Sequence, residues 1–409
     1  MTEDGSMYEN IEKIMAVAVF PVAFLYSSIW YDTKLGWNAY LGLFVLGILV
    51  LGEIFYKDVK RTWESYAFLA MTIVSSVAVT FSIGSVWEEM QMTLFTHLFG
   101  LYWIMVRSGR LSEGNTSHMF VWDGFMGFVK IPFTHFTLWV KTLRSLVNGD
   151  KKRINISKLI PALIASFVGI TLLAIAVVIL RSADANYNAL MRKISNLLSI
   201  EWDVSLIWRL IFSTVFASYF YGLMGGSYRE DAEYATRIGD QVKSDIAKLS
   251  KVVPALWVCF IGLFSAFYIL YFALQASFLF GAFKMILPAE YSYSSYARHG
   301  FGEMCAVMVI NFLLLWCATR TGEKITKTLK AACTLLVGES MVFAIIAFMK
   351  LLMYIVAYGF TPLRLQSAWL ITILTFACVC VLISMYLNKK TARVWFVTSS
   401  ALLCALCLV

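Results

Sequence analysis

Long apolar runs, separated by short polar breaks, repeat along almost the whole of this chain. A helix needs about 20 mostly apolar residues to cross the hydrocarbon core, where only helices and closed barrels satisfy every backbone N–H and C=O group. Runs of that length predict helical spans near residues 13–31, 36–55, 65–84, 90–106, 158–180, 204–226, 254–276, 303–320, 334–357, 367–388 and 393–409. The expected fold class is all-α: a polytopic transmembrane helix bundle of about eleven spans. The start "MTEDGSMYEN" is acidic and the first run lacks a basic flank and a small-residue cleavage site, so it is expected to persist as a mature helix. The pattern suggests a four-helix membrane segment over 1–106, an amphipathic segment over 107–157 and a seven-helix membrane domain over 158–409.

Composition supports that reading, since 60% of the residues are hydrophobic and 14% charged, against about 25% charged in soluble domains. Charge then orients the chain, because loops rich in Lys and Arg stay in the cytoplasm. With the N-terminus inside, 25 basic residues fall on the cytoplasmic side, seven outside and two, Arg209 and Lys350, within spans. The net charge of +9 is thus largely a cytoplasmic-face charge, suited to anionic lipid headgroups rather than to nucleic acid.

Two cytoplasmic segments break the apolar pattern. Residues 118–146, "HMFVWDGFMGFVKIPFTHFTLWVKTLRSL", mix aromatic, glycine and basic positions and predict an interfacial amphipathic helix broken near Pro132. Residues 226–251 form a mixed-charge connection with the look of a solvated face. The first reads foremost as a structural belt at headgroup level, with a lipid or partner dock as the functional alternative. The two segments together offer the cytoplasmic surface for a protein partner.

Chemistry-bearing motifs are sparse. His97, His118, His135 and His299 lack metal-ligand spacing, and neither a phosphate-binding glycine loop nor a G-x-S-x-G elbow occurs. The eight cysteines lie in or beside apolar runs and read as packing residues. No metal, cofactor or catalytic residue is expected. Hydrolytic metalloenzyme and ATPase readings are weak, and a lipid-modifying enzyme is the least favoured of three function classes.

Against that background "EYSYSSYARHGFGEM", residues 290–304, is conspicuous. It lies on the exterior side and predicts a polar re-entry segment that leads into the eighth span. Ionisable groups within spans are functional candidates by default. Glu339 and Lys350, eleven residues apart, share one face of the ninth helix as a polar stripe that Tyr354 extends. Counting from the helix ends puts Asn311 and Lys350 at one depth. Arg298, His299, Glu303, Asn311, Lys350, Tyr354 and Arg364 are therefore expected to line an outward-facing vestibule, with Arg209 near the same boundary. Three structural readings stand beside it. Arg298 and Arg364 are snorkelling anchors, Lys350 pairs with a carboxylate to fix helix packing, or Arg298 closes a plug by pairing with Glu303 or Glu290.

"YSYSSYARHGFGEMCAVMVINF" together with "KLLMYIVAYGFTPLRL" (350–365) resembles the signature of a family of bacterial polytopic membrane proteins catalogued only as a domain of unknown function. "WDGFMGFVKIPF" (122–133) and "ILRSADANYNALM" (179–191) resemble further segments of it, over roughly residues 120 to 388. The resemblance implies a multi-pass protein of the bacterial cytoplasmic membrane and supplies no reaction, substrate or cofactor. Members usually continue into a polar tail where this sequence stops at "ALCLV", so a function carried by such a tail is expected to be absent. The leading expectation is a sensor or accessory component that binds an anionic or amphiphilic small molecule among membrane lipids. A transporter or permease is the alternative.

Overall fold

The computed structural model describes residues 3–31, 37–81, 86–147, 204–229, 254–276, 281–284, 291–298, 301–320 and 326–408, with a few isolated positions between 237 and 287. These residues are helical, with no strand among them. In chain order the helices are α1 (Glu3–Tyr31), α2 (Trp37–Phe55), α3 (Trp63–Thr80), α4 (Val86–Arg107), α5 (Phe120–Phe125), α6 (Ile131–Thr134) and α7 (Leu138–Val147). They continue with α8 (Val204–Arg229), α9 (Pro254–Leu274), α10 (Tyr293–Arg298), α11 (Phe301–Arg320), α12 (Lys327–Tyr358), α13 (Pro362–Leu387) and α14 (Ala392–Leu406).

Helices stand where the apolar runs place them. The span expected at 158–180 and the segment "ILRSADANYNALM" lie outside the described residues. Among the described residues, five stretches are long and apolar enough to cross a membrane: Ile11–Ile29, Pro254–Leu274, Tyr293–Thr319, Lys327–Tyr358 and Pro362–Leu387. Ala39–Phe55 and Ala392–Leu406 are apolar but shorter. Such helices fit a membrane protein.

The chain forms two compact units that interleave in sequence: residues 1–60, 79–89 and 125–229 make the first, and 61–78, 90–124 and 230–409 the second. In the first, α1 packs between α2 and α8. Lipid chains are as apolar as leucine, so close packing and hydrogen bonds, rather than expulsion from water, must hold such helices together. Both are present. Tyr26 sits 4.5 Å from Phe44 and, edge-on, 4.6 Å from Phe216, centroid to centroid. Ser27 and Ser213 share a buried hydrogen bond of 2.9 Å, Trp139 Nε1 donates to the Ala16 carbonyl at 2.7 Å, and Arg229 pairs with Glu12.

The segment around Pro132 differs from expectation. The chain stays helical from Phe120 through Pro132 and turns only at His135–Thr137. Proline offers no N–H to the carbonyl four residues back, that of Phe128. Tyr219 of α8 donates its hydroxyl to that oxygen at 2.8 Å, and a π turn over Met126–Lys130 takes up the strain just before the proline. Ile131, Leu138 and Trp139 are buried, while Phe125, Val129 and Phe133 remain an exposed apolar stripe. Glycines of "YGLMGGSY" allow the contact with α8. A Cβ at Gly222 would lie 2.8 Å from the Pro132 oxygen, and one at Gly226 2.7 Å from the His135 ring.

The second unit carries a buried polar junction that the sequence pattern did not single out. Glu64, 1% exposed, accepts from the Thr116 N–H and hydroxyl, both at 3.1 Å, and forms an ion pair with Arg393. Asp123, equally buried, accepts from the Ser112 N–H at 2.9 Å. These bonds fix residues 108–119, whose sharp turns use Gly109 and Gly114, both at φ 71°. Around the junction Tyr102, Phe120 and Phe396 pack ring to ring.

Candidate functional site

Helix α12 is the spine of the second unit. Thr326 begins it by accepting the Leu329 N–H at 3.2 Å, and Gly359, at φ 77°, ends it. Its 32 residues reach about 48 Å at the helical rise. The helix buries Leu336, Val337, Phe343, Ala344, Ile346 and Ala347. Among these apolar positions it also buries Glu339, Ser340 and Lys350, at 6%, 0% and 1% exposure.

Near the C-terminal end of α12, cations meet tyrosine rings. The Lys350 Nζ lies 4.5 Å from the centroid of Tyr296, a buried residue of α10, and Glu303 at the start of α11 acts on it electrostatically. One turn on, the Arg364 guanidinium stacks over Tyr354 at 4.0 Å and reaches Tyr358 at 5.8 Å. Tyr358 in turn meets Tyr293 of α10 edge-on at 6.4 Å. The tyrosines of "YSYSSY" thus converge on the end of α12.

Arg364 has a second task. Its Nη1 donates to the Tyr358 carbonyl at 2.9 Å and to that of Gly359, oxygens that the helix end leaves without partners. "YGFTPLRL" is therefore a corner: glycine stops α12, Pro362 opens α13, and arginine folds back to close the turn.

Asn311 lies elsewhere. It is fully buried, accepts from the Tyr268 hydroxyl at 2.9 Å and donates to Ser340 at 2.9 Å, so it ties α9, α11 and α12 together two to three turns from Lys350. The count from helix ends misses this, because Asn311 bonds to Ser340, ten residues before Lys350 on α12. Glu303, not Asn311, stands level with Lys350. We expect Asn311→Leu to lower stability by about 1 kcal/mol, the usual worth of an interhelical hydrogen bond in a membrane. Thermal unfolding in detergent measures it, with Tyr268→Phe as the partner in a double-mutant cycle.

His299 and the Arg298 side chain lie outside the described residues. Arg209, half-buried on α8, belongs to the first unit. His97 bonds within its own helix, Nδ1 to the Thr93 carbonyl at 2.7 Å. Among the described residues no three His, Cys, Asp or Glu side chains converge as metal ligands. Sequence reasoning singled out Lys350, Tyr354, Arg364 and the tyrosine-rich segment 290–304, but not Tyr268 or Ser340, whose side chains look ordinary until the helices are packed.

No curated protein and no solved structure matches the chain. A family model described as a domain of unknown function, DUF4153, matches residues 14–409, beyond both ends of the motif-bearing stretch. With that model covering all but the first few residues, the chain belongs to the DUF4153 family.

Proposed function

We propose that the protein is an integral membrane ligand-binding protein, a sensor or accessory component of the bacterial cytoplasmic membrane. Its outward end takes an anionic or amphiphilic ligand, with Arg298, His299, Glu303, Lys350, Tyr354 and Arg364 as the contact set. The observation that carries this reading is the cation–tyrosine cluster. Lys350, 1% exposed, lies against Tyr296, and Arg364 is stacked on Tyr354. Tyrosine faces stabilise cations without neutralising them, and among the described residues the two cations, Lys350 and Arg364, outnumber the one carboxylate, Glu303, that acts on this end of α12. Tyrosine also pairs an apolar body with a hydrogen-bonding tip, and guanidinium suits carboxylate, phosphate or sulfate.

The test is native mass spectrometry of the protein purified with its lipids. We expect an anionic amphiphile to co-purify. Arg364→Gln and Lys350→Met should each weaken its binding about tenfold, the order of one charge-assisted hydrogen bond. Variants that lower stability but leave binding unchanged would assign these cations to structure alone. A permease for the same ligand is the second reading, favoured by buried polar groups at several depths of α12, namely Glu339, Ser340 and Lys350. Flux of the co-purified ligand in proteoliposomes separates the two.

The orientation has its own expected outcome. In a background without native cysteines, Ser292→Cys should react with an impermeant thiol reagent from outside, and Thr328→Cys only once the cytoplasmic side is opened. Reaction of both from one side would overturn the basic-residue topology.

A further inference from the structure

A groove of about 710 Å³ runs along the opposite end of α12, lined by Ile269 and Phe272 of α9, by Ala331, Thr334, Leu335, Gly338, Glu339 and Val342 of α12, and by Tyr386 of α13. Its walls face outward: Ile269 is 54% and Leu335 50% exposed, and a Cβ added at Gly338 would meet nothing within 4 Å. In a membrane-spanning bundle such a face looks onto lipid. Glu339 interrupts the apolar wall. Its side chain is 6% exposed, and among the described residues neither carboxylate oxygen accepts a hydrogen bond of normal geometry, although the Ser265 hydroxyl stands near enough to act on it. The cation at the rim, Lys330, is held over the Tyr386 ring at 4.1 Å, nine residues before Glu339 and about 13 Å along the axis. It is too far to neutralise the carboxylate directly.

We propose that this groove is a bilayer-accessible binding site for a lipophilic amine, with Glu339 as its counter-ion. A lone carboxylate in hydrocarbon is costly, so the group is neutral unless a cation comes with it. An ammonium bearing an alkyl chain brings the cation and fills the apolar walls at once. The pair is neutral whether the proton rests on nitrogen or on oxygen. A metal ion fits poorly, because calcium and magnesium want six or more oxygen ligands and the groove offers one carboxylate and the hydroxyls of Thr334 and Tyr386, which bond each other at 2.9 Å. The site is independent of the cation–tyrosine cluster and calls for a ligand of opposite charge.

The test uses the full chain in phosphatidylcholine nanodiscs and dicyclohexylcarbodiimide, which modifies protonated carboxyl groups in apolar surroundings. Peptide mapping should place the adduct on Glu339. N,N-dimethyloctadecylamine, a tertiary amine that the activated carboxyl cannot acylate, should slow that labelling about tenfold at about ten times its Kd. A neutral tertiary amide of the same chain length should not. Glu339→Gln should abolish both the adduct and retention of the amine in native mass spectra. Absence of labelling at Glu339, equal protection by the neutral amide, or labelling that the amine leaves untouched would each overturn the proposal. If Glu339→Gln fails to fold, the comparison of amine with amide on the unaltered protein decides alone.

Discussion

Arg393→Leu is expected to cost about 3 kcal/mol of stability, the low end of what breaking a buried ion pair costs. The reason lies in the unequal exposure of the two partners. The Glu64 side chain is 1% exposed and that of Arg393 33%. Without the guanidinium, the carboxylate keeps, among the described residues, Thr116 alone as a donor. The stacking of Arg393 on Trp63, at 4.8 Å, is lost as well. Glu64→Gln should cost less, about 1–2 kcal/mol, because the amide oxygen still accepts from Thr116 and the freed arginine turns toward solvent. Chemical or thermal unfolding of the detergent-solubilised protein ranks the two. The opposite order would mean that Arg393, not Glu64, is the group whose desolvation the junction relieves.

Gly222→Ala is the second large effect. The new methyl would lie 2.8 Å from the Pro132 oxygen and 3.0 Å from the His135 oxygen. Both are backbone atoms, so no side chain can swing away, and overpacking of this kind costs about 1–3 kcal/mol. Gly262 on α9 provides the control, since a Cβ there meets nothing within 4 Å. Gly262→Ala should be neutral or raise stability by up to about 1 kcal/mol through helix propensity. A gap of about 2 kcal/mol between the two alanine variants is the expected reading. Equal effects would remove close backbone approach as the reason for glycine at 222.

Much of the fold was legible because the solvent is simple. Apolar length alone placed the long helices α2, α3, α4, α8, α9, α11, α13 and α14 within about five residues, while α1 and α12 begin ten and seven residues ahead of their apolar runs. What stayed hidden depends on partners far along the chain. Pro132 reads locally as a helix break, and nothing near it announces that Tyr219 supplies the missing donor. Glu64 reads as a boundary residue before an apolar run; its burial follows from Thr116 and Arg393, 52 and 329 positions away. In the candidate site, spacing along one helix was legible, as with Glu339 and Lys350, both buried on α12. Depth between helices was not, because Asn311 packs against Ser340, ten residues before Lys350.

The Tyr219 bond also has a history in time. Ribosomes add about 5–20 residues per second, so Phe128 waits about 5–18 s for the tyrosine that is 91 residues downstream. Throughout that interval the turn at Met126–Lys130 has an unanswered carbonyl and a proline behind it. The stretch from Phe120 to Thr134 therefore cannot settle into its final form as it emerges from the translocation machinery. It must be finished from behind, when α8 arrives.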